Sequence, residues 1–171
     1  MTTVPTRLAI EVDDPARDDV RRLVQIHRDW SLRQTPREFS FSVEPHAVAE
    51  AGITLFSVRS FGGELLGIAG LKQLDDRHSE IKTMHVAAQA RGRGVGRMLL
   101  EAVLAEARRR GCARVSLETG TGESFRPARS LYESFGFRPS EPFGDYANTE
   151  HNLCMTLRLA DHPGRIGQSP T

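Results

Sequence analysis

Apolar and polar positions follow two periods along this chain, and the period changes from one segment to the next. Stretches that alternate predict strands buried on one face, and stretches with an apolar residue every three or four positions predict amphipathic helices. For the first half, the pattern predicts a strand at 6–12, a helix at 16–32, a short helix at 46–52 and two strands at 53–60 and 64–74. A Gly-Gly turn joins the last two strands, so we expect an antiparallel first half.

The second half of the chain alternates strands with helices. Its predicted elements are a strand at 79–86, a helix at 95–110, a strand at 113–119, a helix at 123–136 and a final strand at 151–159. The helix at 95–110 has a strong stop signal, because three arginines at its end suit the helix dipole and Gly111 follows them. We therefore expect one mixed α/β domain over residues 1–160, with a βαβα unit in its second half and a disordered tail at 161–171.

Charge and cysteine usage exclude several classes of function. The 23 Lys and Arg residues nearly balance the 22 Asp and Glu residues, for a formal charge of +1, so we expect neither a nucleic-acid partner nor a membrane partner. Cys112 and Cys154 match no metal or redox spacing, which predicts two free thiols and no metal cofactor. The chain shows no signal peptide and no segment long enough to span a membrane, so a cytoplasmic location is expected.

A stretch rich in glycine and arginine, ARGRGVGRMLL at 90–100, joins the strand at 79–86 to the next helix. A glycine loop that opens a helix can bind an anion, because unpaired N–H groups and the positive end of the helix dipole point outward. A nucleoside-triphosphate loop is excluded, since no Lys-Ser or Lys-Thr pair follows these glycines. A dinucleotide fingerprint begins correctly with Gly92 and Gly94, and Glu118 could bind a ribose, but Arg97 stands at the third glycine position. That alternative stays open.

Two motifs in this chain resemble the GNAT superfamily of N-acetyltransferases. Arg91, Gly94 and Gly96 fill the superfamily's acyl-CoA pyrophosphate pattern, [QR]-x-x-G-x-[GA]. The segment ARSLYESFGF at 128–137 resembles its A-x-x-L-Y-x-x-x-G-F signature. One departure is Phe125, which stands where many members carry an asparagine, so Ser124 or Thr121 is the candidate to replace that contact.

The resemblance implies a fold, a co-substrate and a set of binding residues. The fold is a mixed α/β GNAT fold, with a mostly antiparallel twisted sheet, a central splayed parallel pair and flanking helices. The co-substrate is acetyl-CoA, whose pantetheine adds to the edge of a strand bulged near Met84 to Val86. The cofactor-binding residues are expected to be Met84, His85, Val86, Arg91, Gly92, Arg93, Gly94, Val95, Gly96, Arg97, Ser124 and Tyr132.

Acyl transfer from a thioester to an amine needs a base for the ammonium and an acid for the departing thiolate. The resemblance makes Glu80 our candidate base, because it lies six residues before Val86 on the same strand. Tyr132 is the candidate acid, since a phenol can protonate a nascent thiolate. A structural ion pair between Glu80 and Lys82 stays open as the alternative, and Glu118 is expected to be a surface or supporting acid.

The expected partner is a small-molecule amine acceptor that receives the acetyl group directly from acetyl-CoA. It would approach along the segments at 29–39 and 142–152, which carry Trp30, Arg33, Arg37, Phe39 and Tyr146. The sequence leaves the identity of the acceptor open. It is also compatible with a homodimer and with an acyl-CoA sensor that transfers nothing.

Overall fold

A computed structural model describes residues 7–160 of the chain. The strands are β1 (Leu8–Val12), β2 (Ile53–Ser60), β3 (Leu65–Asp75), β4 (His78–Val86), β5 (Arg114–Gly120), β6 (Arg138–Pro139) and β7 (Asn152–Arg158), and the helices are α1 (Asp18–Gln34), α2 (Ala47–Glu50), α3 (Val95–Arg109) and α4 (Arg126–Ser134). The strands form one sheet in the order β1-β2-β3-β4-β5-β7-β6.

The sheet is antiparallel except at its centre, where β4 and β5 run parallel. That parallel pairing covers only three positions, from His78–Arg114 to Glu80–Ser116. Beyond Glu80 the two strands have no paired residues, although β5 continues its pairing with β7 as far as Gly120. The strands therefore part and leave a backbone edge on each side of a gap, which confirms the predicted mixed sheet with a splayed parallel pair.

A bulge interrupts the pairing of β3 with β4. Ile68 pairs with His85, and Gly70 pairs with Lys82, so three residues of β4 span the distance covered by two on β3. Ile68 and Gly70 lie on the same face of the sheet, because side chains alternate along a strand. Lys82 and His85 consequently share a face as well. The bulge predicted over Met84 to Val86 lies slightly earlier in the structure, at Thr83 and Met84.

Helices cover both faces of the sheet. His85 points toward α1, since its Nδ1 lies 3.2 Å from Nδ1 of His27. Val86 points to the other face, where it approaches Gly96 in the first turn of α3. Between these layers lies the apolar core, whose largest fully buried side chains are Phe137, Leu55, Leu66, Ile68, Leu71, Leu99, Leu100, Leu117 and Met155.

A network of charges joins β1, α1 and β2. The guanidinium of Arg59, whose side chain is 7% exposed, donates to Asp13 at 2.7 Å and to Asp19 at 2.6 Å. Ser57 donates to the same Asp13 carboxylate at 2.6 Å. Burial opposes ionisation of Asp13, yet these hydrogen bonds hold its pKa below the ordinary value. The buried polar groups of this region thus find their partners within the protein.

Several elements differ from the sequence prediction in their ends or their number. Helix α1 begins at Asp18 because the preceding residues form a turn, in which Arg17 N–H donates to Asp14 O at 3.2 Å. The helix predicted over 123–136 is divided into a 3-10 turn at Glu123–Phe125 and α4, which has Pro127 in its first turn. The two-residue strand β6 was not predicted, since two residues are too few to show a period. Residue 6 of the predicted first strand and the tail at 161–171 lie outside the described residues.

Candidate active site

A cleft of about 830 Å³ opens where β4 and β5 part. It runs from the glycine-arginine loop, between the two strands, to Tyr146 in the segment before β7. Most of the predicted site residues line it: Glu80, Met84, His85, Val86, Arg91, Gly92, Gly94, Val95, Gly96, Arg97, Ser124 and Tyr132. Arg93 is exposed and does not line the cleft, although the resemblance implied a cofactor contact for it.

The glycine-arginine loop has the backbone geometry of an anion cradle. Gly92 and Gly94 adopt left-handed conformations, with φ of 74° and 78°, which residues with a Cβ rarely adopt. The first bond of the α3 ladder runs from Met98 N–H to Gly94 O at 3.0 Å, so the N–H groups of residues 95–97 precede the ladder. Gly94 also provides no capping side chain. These amides and the helix dipole can therefore receive a phosphate.

Gly96 allows α4 to approach the loop closely. A Cβ at this position would lie 3.1 Å from Leu131 on α4 and 3.6 Å from Val86 on β4. The first distance is tight enough that Leu131 would have to move, whereas the second is an ordinary van der Waals contact. The third glycine of the motif thus serves packing between α3, α4 and β4, whereas Gly92 and Gly94 serve the loop conformation.

Tyr132 lies on α4 and is 7% exposed. Its ring packs edge-on against Phe137, with ring centroids 5.9 Å apart. Burial and the nearby Glu118 raise the pKa of its phenol, so the hydroxyl keeps its proton at neutral pH. Among residues 7–160 this hydroxyl makes no hydrogen bond, and Tyr132 lines the cleft, so its proton is available to a ligand there.

Glu80 is 4% exposed and lies among polar partners. Tyr146 donates its hydroxyl to Glu80 Oε1, and Nζ of Lys82 lies 3.4 Å from the same oxygen. Lys82 also donates to the Tyr146 oxygen. The Glu80–Lys82 ion pair that the sequence left open as an alternative is thus present. Glu80 also lines the cleft, on the sheet face that it shares with Lys82 and His85.

Glu118 projects from β5 into the same cleft. Asn152 donates one amide hydrogen to its carboxylate at 2.7 Å and the other to the Phe39 carbonyl oxygen at 2.7 Å. Burial raises the pKa of Glu118, and the Asn152 hydrogen bond only partly offsets that effect. A carboxylate with a raised pKa is better matched to proton uptake near neutral pH than an ordinary one.

Two histidines and two aromatic rings close the α1 side of the cleft. Burial lowers the pKa of His27 to about 3 and that of His85 to about 4, so both imidazoles are neutral at pH 7. Trp30 stands beside them, and Phe125 meets the Trp30 ring edge-on with centroids 4.7 Å apart. The Phe125 ring also lies over Gly120, where a Cβ would be 2.3 Å from it. Phe125 therefore lines the cleft with an apolar ring at the position where many GNAT members carry an asparagine.

The two candidates for replacing that asparagine lie in different places. Ser124 lines the cleft and donates to Gln34 Oε1 at 2.5 Å. Thr121 donates to the carbonyl oxygen of Glu150 and does not line the cleft. Of the two, only Ser124 is positioned to meet a ligand there.

The sequence did not single out Thr83, which also lines the cleft. Its backbone has φ of 55°, and its buried hydroxyl has no hydrogen-bond partner among the described residues. No local pattern marks this residue, because the bulge that strains it arises from the pairing of β3 with β4. The roles of Tyr146 with Glu80 and of Asn152 with Glu118 were missed for the same reason: each pair joins distant parts of the chain.

Comparison with known protein families decides between the motif alternatives. The profile of the Acetyltransferase (GNAT) family matches residues 20–137. This chain belongs to the GNAT acetyltransferase family. The sheet agrees, since a Rossmann-type dinucleotide fold requires a mostly parallel sheet, whereas this GNAT sheet has a single, short parallel pair.

Two bacterial relatives align with this GNAT chain over most of their length. It is 40% identical over 150 residues to the uncharacterized N-acetyltransferase YsnE of Bacillus subtilis, covering 88% of this chain and 99% of that protein. It is 37% identical over 153 residues to the uncharacterized N-acetyltransferase YedL of Escherichia coli, covering 90% and 96%. Both relatives are named as N-acetyltransferases, in agreement with the family assignment.

Solved GNAT structures share the fold. An acetyltransferase of the GNAT family from Staphylococcus aureus Mu50 matches with a TM-score of 0.66 at 19% identity, over 89% of this chain and 99% of that one. A GNAT family acetyltransferase from Elizabethkingia anophelis, solved with acetyl-CoA bound, matches with a TM-score of 0.62 at 18% identity, over 89% and 98%. At these identities the likeness establishes the fold alone.

Two kinds of feature are absent from residues 7–160. No group of three or more His, Cys, Asp or Glu residues in this part of the GNAT chain is arranged to hold a metal ion. None of its described helices is both long and apolar enough to cross a membrane.

Proposed function

We propose that this protein is an acetyl-CoA-dependent N-acetyltransferase that passes the acetyl group directly to the amine of a small molecule. The observation that carries the proposal is the continuity of one cleft, which connects an anion-binding loop with an unpaired phenol and two carboxylates. Direct transfer needs both substrates in one space, and this cleft reaches all of those groups. The free thiols of the described chain suit a reducing, cytoplasmic setting.

The donor half of the cleft fits acetyl-CoA. The N–H groups of residues 95–97 and the α3 dipole would hold the pyrophosphate, and Arg91 and Arg97 add positive charge at the cleft wall. Beyond Glu80, the edge of β4 that faces β5 has no strand partner. The extended pantetheine arm, with its two amides, can bond to that edge as an added strand does.

The acceptor half contains carboxylates and aromatic rings. Glu80 and Glu118 present two carboxyl groups to an ammonium, and Lys82 is ion-paired with Glu80. The rings of Phe41 and Tyr146 meet edge-on at the cleft mouth, with centroids 5.0 Å apart, and Phe41 is 40% exposed. An amine that carries an apolar or aromatic group matches this combination of charge and surface.

The chemistry then follows from the positions of the acid and the base. Glu80 takes a proton from the ammonium, so that the neutral amine can form a bond to the thioester carbon. The nitrogen then gives its second proton to solvent, the carbon–sulfur bond breaks, and Tyr132 gives its proton to the departing thiolate, leaving an N-acetylated amine and CoA. Solvent returns a proton to Tyr132 and accepts one from Glu80.

An acceptor screen with detection of free CoA thiol tests the proposal. The protein should bind acetyl-CoA in a calorimeter and release thiol with at least one primary amine, most rapidly with amines that carry an apolar group. Binding of acetyl-CoA without thiol release from any amine would support the alternative of an acyl-CoA sensor. A thermal shift with NAD(H) or NADP(H), and none with acetyl-CoA, would contradict both.

Glu80→Gln tests the base. The amide keeps the side-chain shape but takes no proton, so the rate should fall most at neutral pH and recover partly as rising pH deprotonates the amine in solution. Tyr146→Phe is the matched control, since it removes a hydrogen bond to Glu80 and leaves the carboxylate. If Glu118→Gln shows this pH pattern and Glu80→Gln does not, the base is Glu118.

A further inference from the structure

One buried hydroxyl in the cleft has no partner. Thr83 is 8% exposed, and its Oγ1 is the only fully buried side-chain nitrogen or oxygen of residues 7–160 that lacks a hydrogen-bond partner. Burial of a hydroxyl without a partner is unfavourable, and the large majority of buried side-chain polar atoms in proteins have a partner. Valine has the same shape without that penalty, so packing alone gives no reason for a hydroxyl here.

The backbone of Thr83 is a second outlier at the same residue. Its φ of 55° lies in the left-handed region, and no other non-glycine residue among those described has a positive φ. A β-branched side chain is particularly unfavourable there. Local strain of this kind persists where the surrounding structure imposes it, and it is concentrated at binding and catalytic sites.

Thr83 lies at the boundary between the two halves of the cleft. Glu80 and Lys82 precede it on β4 and belong to the acceptor half, whereas Met84 and Val86 follow it and lead to the glycine-arginine loop. An acyl group on a donor that enters from the loop must end near this boundary, since the amine approaches from the other side. The carbonyl oxygen of that acyl group accepts hydrogen bonds, and a threonine hydroxyl can donate one.

We propose that the Thr83 hydroxyl donates a hydrogen bond to the acyl carbonyl oxygen of the donor, a contact that rests on the acetyl-CoA-dependent function proposed above. Negative charge builds on this oxygen as the amine forms its bond, so the hydrogen bond strengthens during the reaction. The partner missing in the protein is then supplied by the substrate.

Thr83→Val is the test, because it removes the hydroxyl and keeps the shape and the backbone strain. Three results are expected. The ligand-free variant should melt about 2–4 °C higher, since an unpaired buried hydroxyl is gone. Its Kd for acetyl-CoA should rise by about fivefold or more, while its Kd for CoA, which has no acyl carbonyl, should stay within about twofold. Its kcat/KM should fall by roughly 10²-fold.

Two further variants separate this contact from a structural role. Thr83→Ser keeps a hydroxyl and should retain the parent's preference for acetyl-CoA over CoA. Thr156→Val makes the same change where the hydroxyl has partners, at 2.7 Å from Ser116 and 3.0 Å from Ser140. It should melt lower than the parent and bind acetyl-CoA as the parent does.

Other outcomes overturn the proposal in distinguishable ways. A lower melting temperature for Thr83→Val with unchanged binding would show that the hydroxyl has a structural partner. A higher melting temperature with both Kd values unchanged would show that the hydroxyl stays unpaired when the donor is bound. Equal weakening of acetyl-CoA and CoA would place the contact on pantetheine. If the parent protein binds neither ligand, the proposed function fails, whereas normal acyl preference in Thr83→Val overturns only the Thr83 contact.

Discussion

Two regions of this protein bury polar side chains, and they differ in where those groups find their partners. Between β1, α1 and β2, the buried Arg59 bonds to Asp13 and Asp19, and Ser57 bonds to Asp13 as well. In the cleft between β4 and β5, the hydroxyls of Thr83 and Tyr132 have no partner in the described chain. The polar groups of the first region are paired once the chain has folded, whereas in our proposal a bound substrate supplies the partners in the second.

This difference separates residues that maintain the fold from residues that serve the reaction. Removing a partner from the Arg59 network leaves a buried charge without compensation, and the loss is expressed in stability. Removing an unpaired cleft hydroxyl takes no contact from the folded protein, so the loss is expressed only when a substrate is bound. Variants of the Arg59 network should therefore change mainly stability, and variants of the cleft hydroxyls should change mainly activity.

Tyr132→Phe should give the largest effect, and it should be an effect on turnover. In the proposed mechanism the phenol donates its proton only as the thiolate departs, so kcat should drop by roughly 10²–10⁴-fold while acetyl-CoA affinity and melting temperature stay near the parent values. The defect should shrink with a donor whose thiol is more acidic than that of CoA. Steady-state kinetics, calorimetry and thermal melting measure these quantities.

The other tyrosine of the chain, Tyr146, is the matched control for that experiment. Its hydroxyl donates to Glu80, so Tyr146→Phe takes a contact from the folded protein and should lower the melting temperature. If Tyr132→Phe turned over acetyl-CoA normally, or lost activity only in proportion to weaker binding, its hydroxyl would not be the acid.

Arg59→Met should give the next largest effect, on stability. It leaves the Asp13 carboxylate buried without its cation, which should lower the free energy of unfolding by about 3–5 kcal/mol in urea denaturation. Adding Asp13→Asn should restore part of the loss, because both charges are then gone. Arg17→Met is the control: this arginine is exposed and 3.7 Å from Asp13, and its loss should change stability by less than about 1 kcal/mol. An equal loss for both arginines would show that burial is not the cause.

Gly94→Asp should weaken acetyl-CoA binding by tenfold or more, or about 1.4 kcal/mol, through a side chain and a negative charge at the pyrophosphate cradle. Gly111 supplies a close control at the other end of α3. Its φ is also 78°, and a Cβ there likewise meets nothing within 4 Å. Gly111→Asp should therefore carry a similar backbone strain and bind acetyl-CoA normally in calorimetry. Equal affinity in the two variants would remove the loop from the donor site.

The smallest effect is expected in the pH dependence of stability, where one carboxyl from each region should act with opposite sign. The pKa of Asp13 is lowered, so its contribution is present above about pH 4 and is lost as pH falls through the folded-state pKa. The pKa of Glu118 is raised by burial, so its contribution is present below about pH 4 and is lost as pH rises through the raised pKa.

Denaturant unfolding of Asp13→Asn and Glu118→Gln at pH 4 and pH 7 tests this sign. Relative to the parent, Asp13→Asn should lose more stability at pH 7 than at pH 4, whereas Glu118→Gln should gain at pH 7 relative to pH 4. If both variants showed the same pH trend, burial of Glu118 would not outweigh its hydrogen bond from Asn152.

Much of the fold could be predicted because its signals are local. The alternation at 53–60 matches β2 at both ends, and the apolar stripe after the glycine loop matches α3 to within one residue. The divided helix near Phe125 was missed, since the proline that begins α4 also fits a continuous helical pattern. The parallel pair of β4 and β5 was expected through the family resemblance and not through periodicity, which carries no information on strand partners.

The sequence by itself determined the loop and the candidate acid, because each depends on residues that are close in the chain. Left-handed conformations require glycine at positions 92 and 94, and the motif around Tyr132 occupies ten consecutive residues. Only the tertiary structure decided the polar contacts. Tyr146 reaches Glu80 across 66 residues, and Thr83, whose buried hydroxyl has no partner among the described residues, lies in the bulge of β4 against β3. Strand register and the partners of buried groups follow from the packing of the whole sheet, so no short segment of the sequence specifies them.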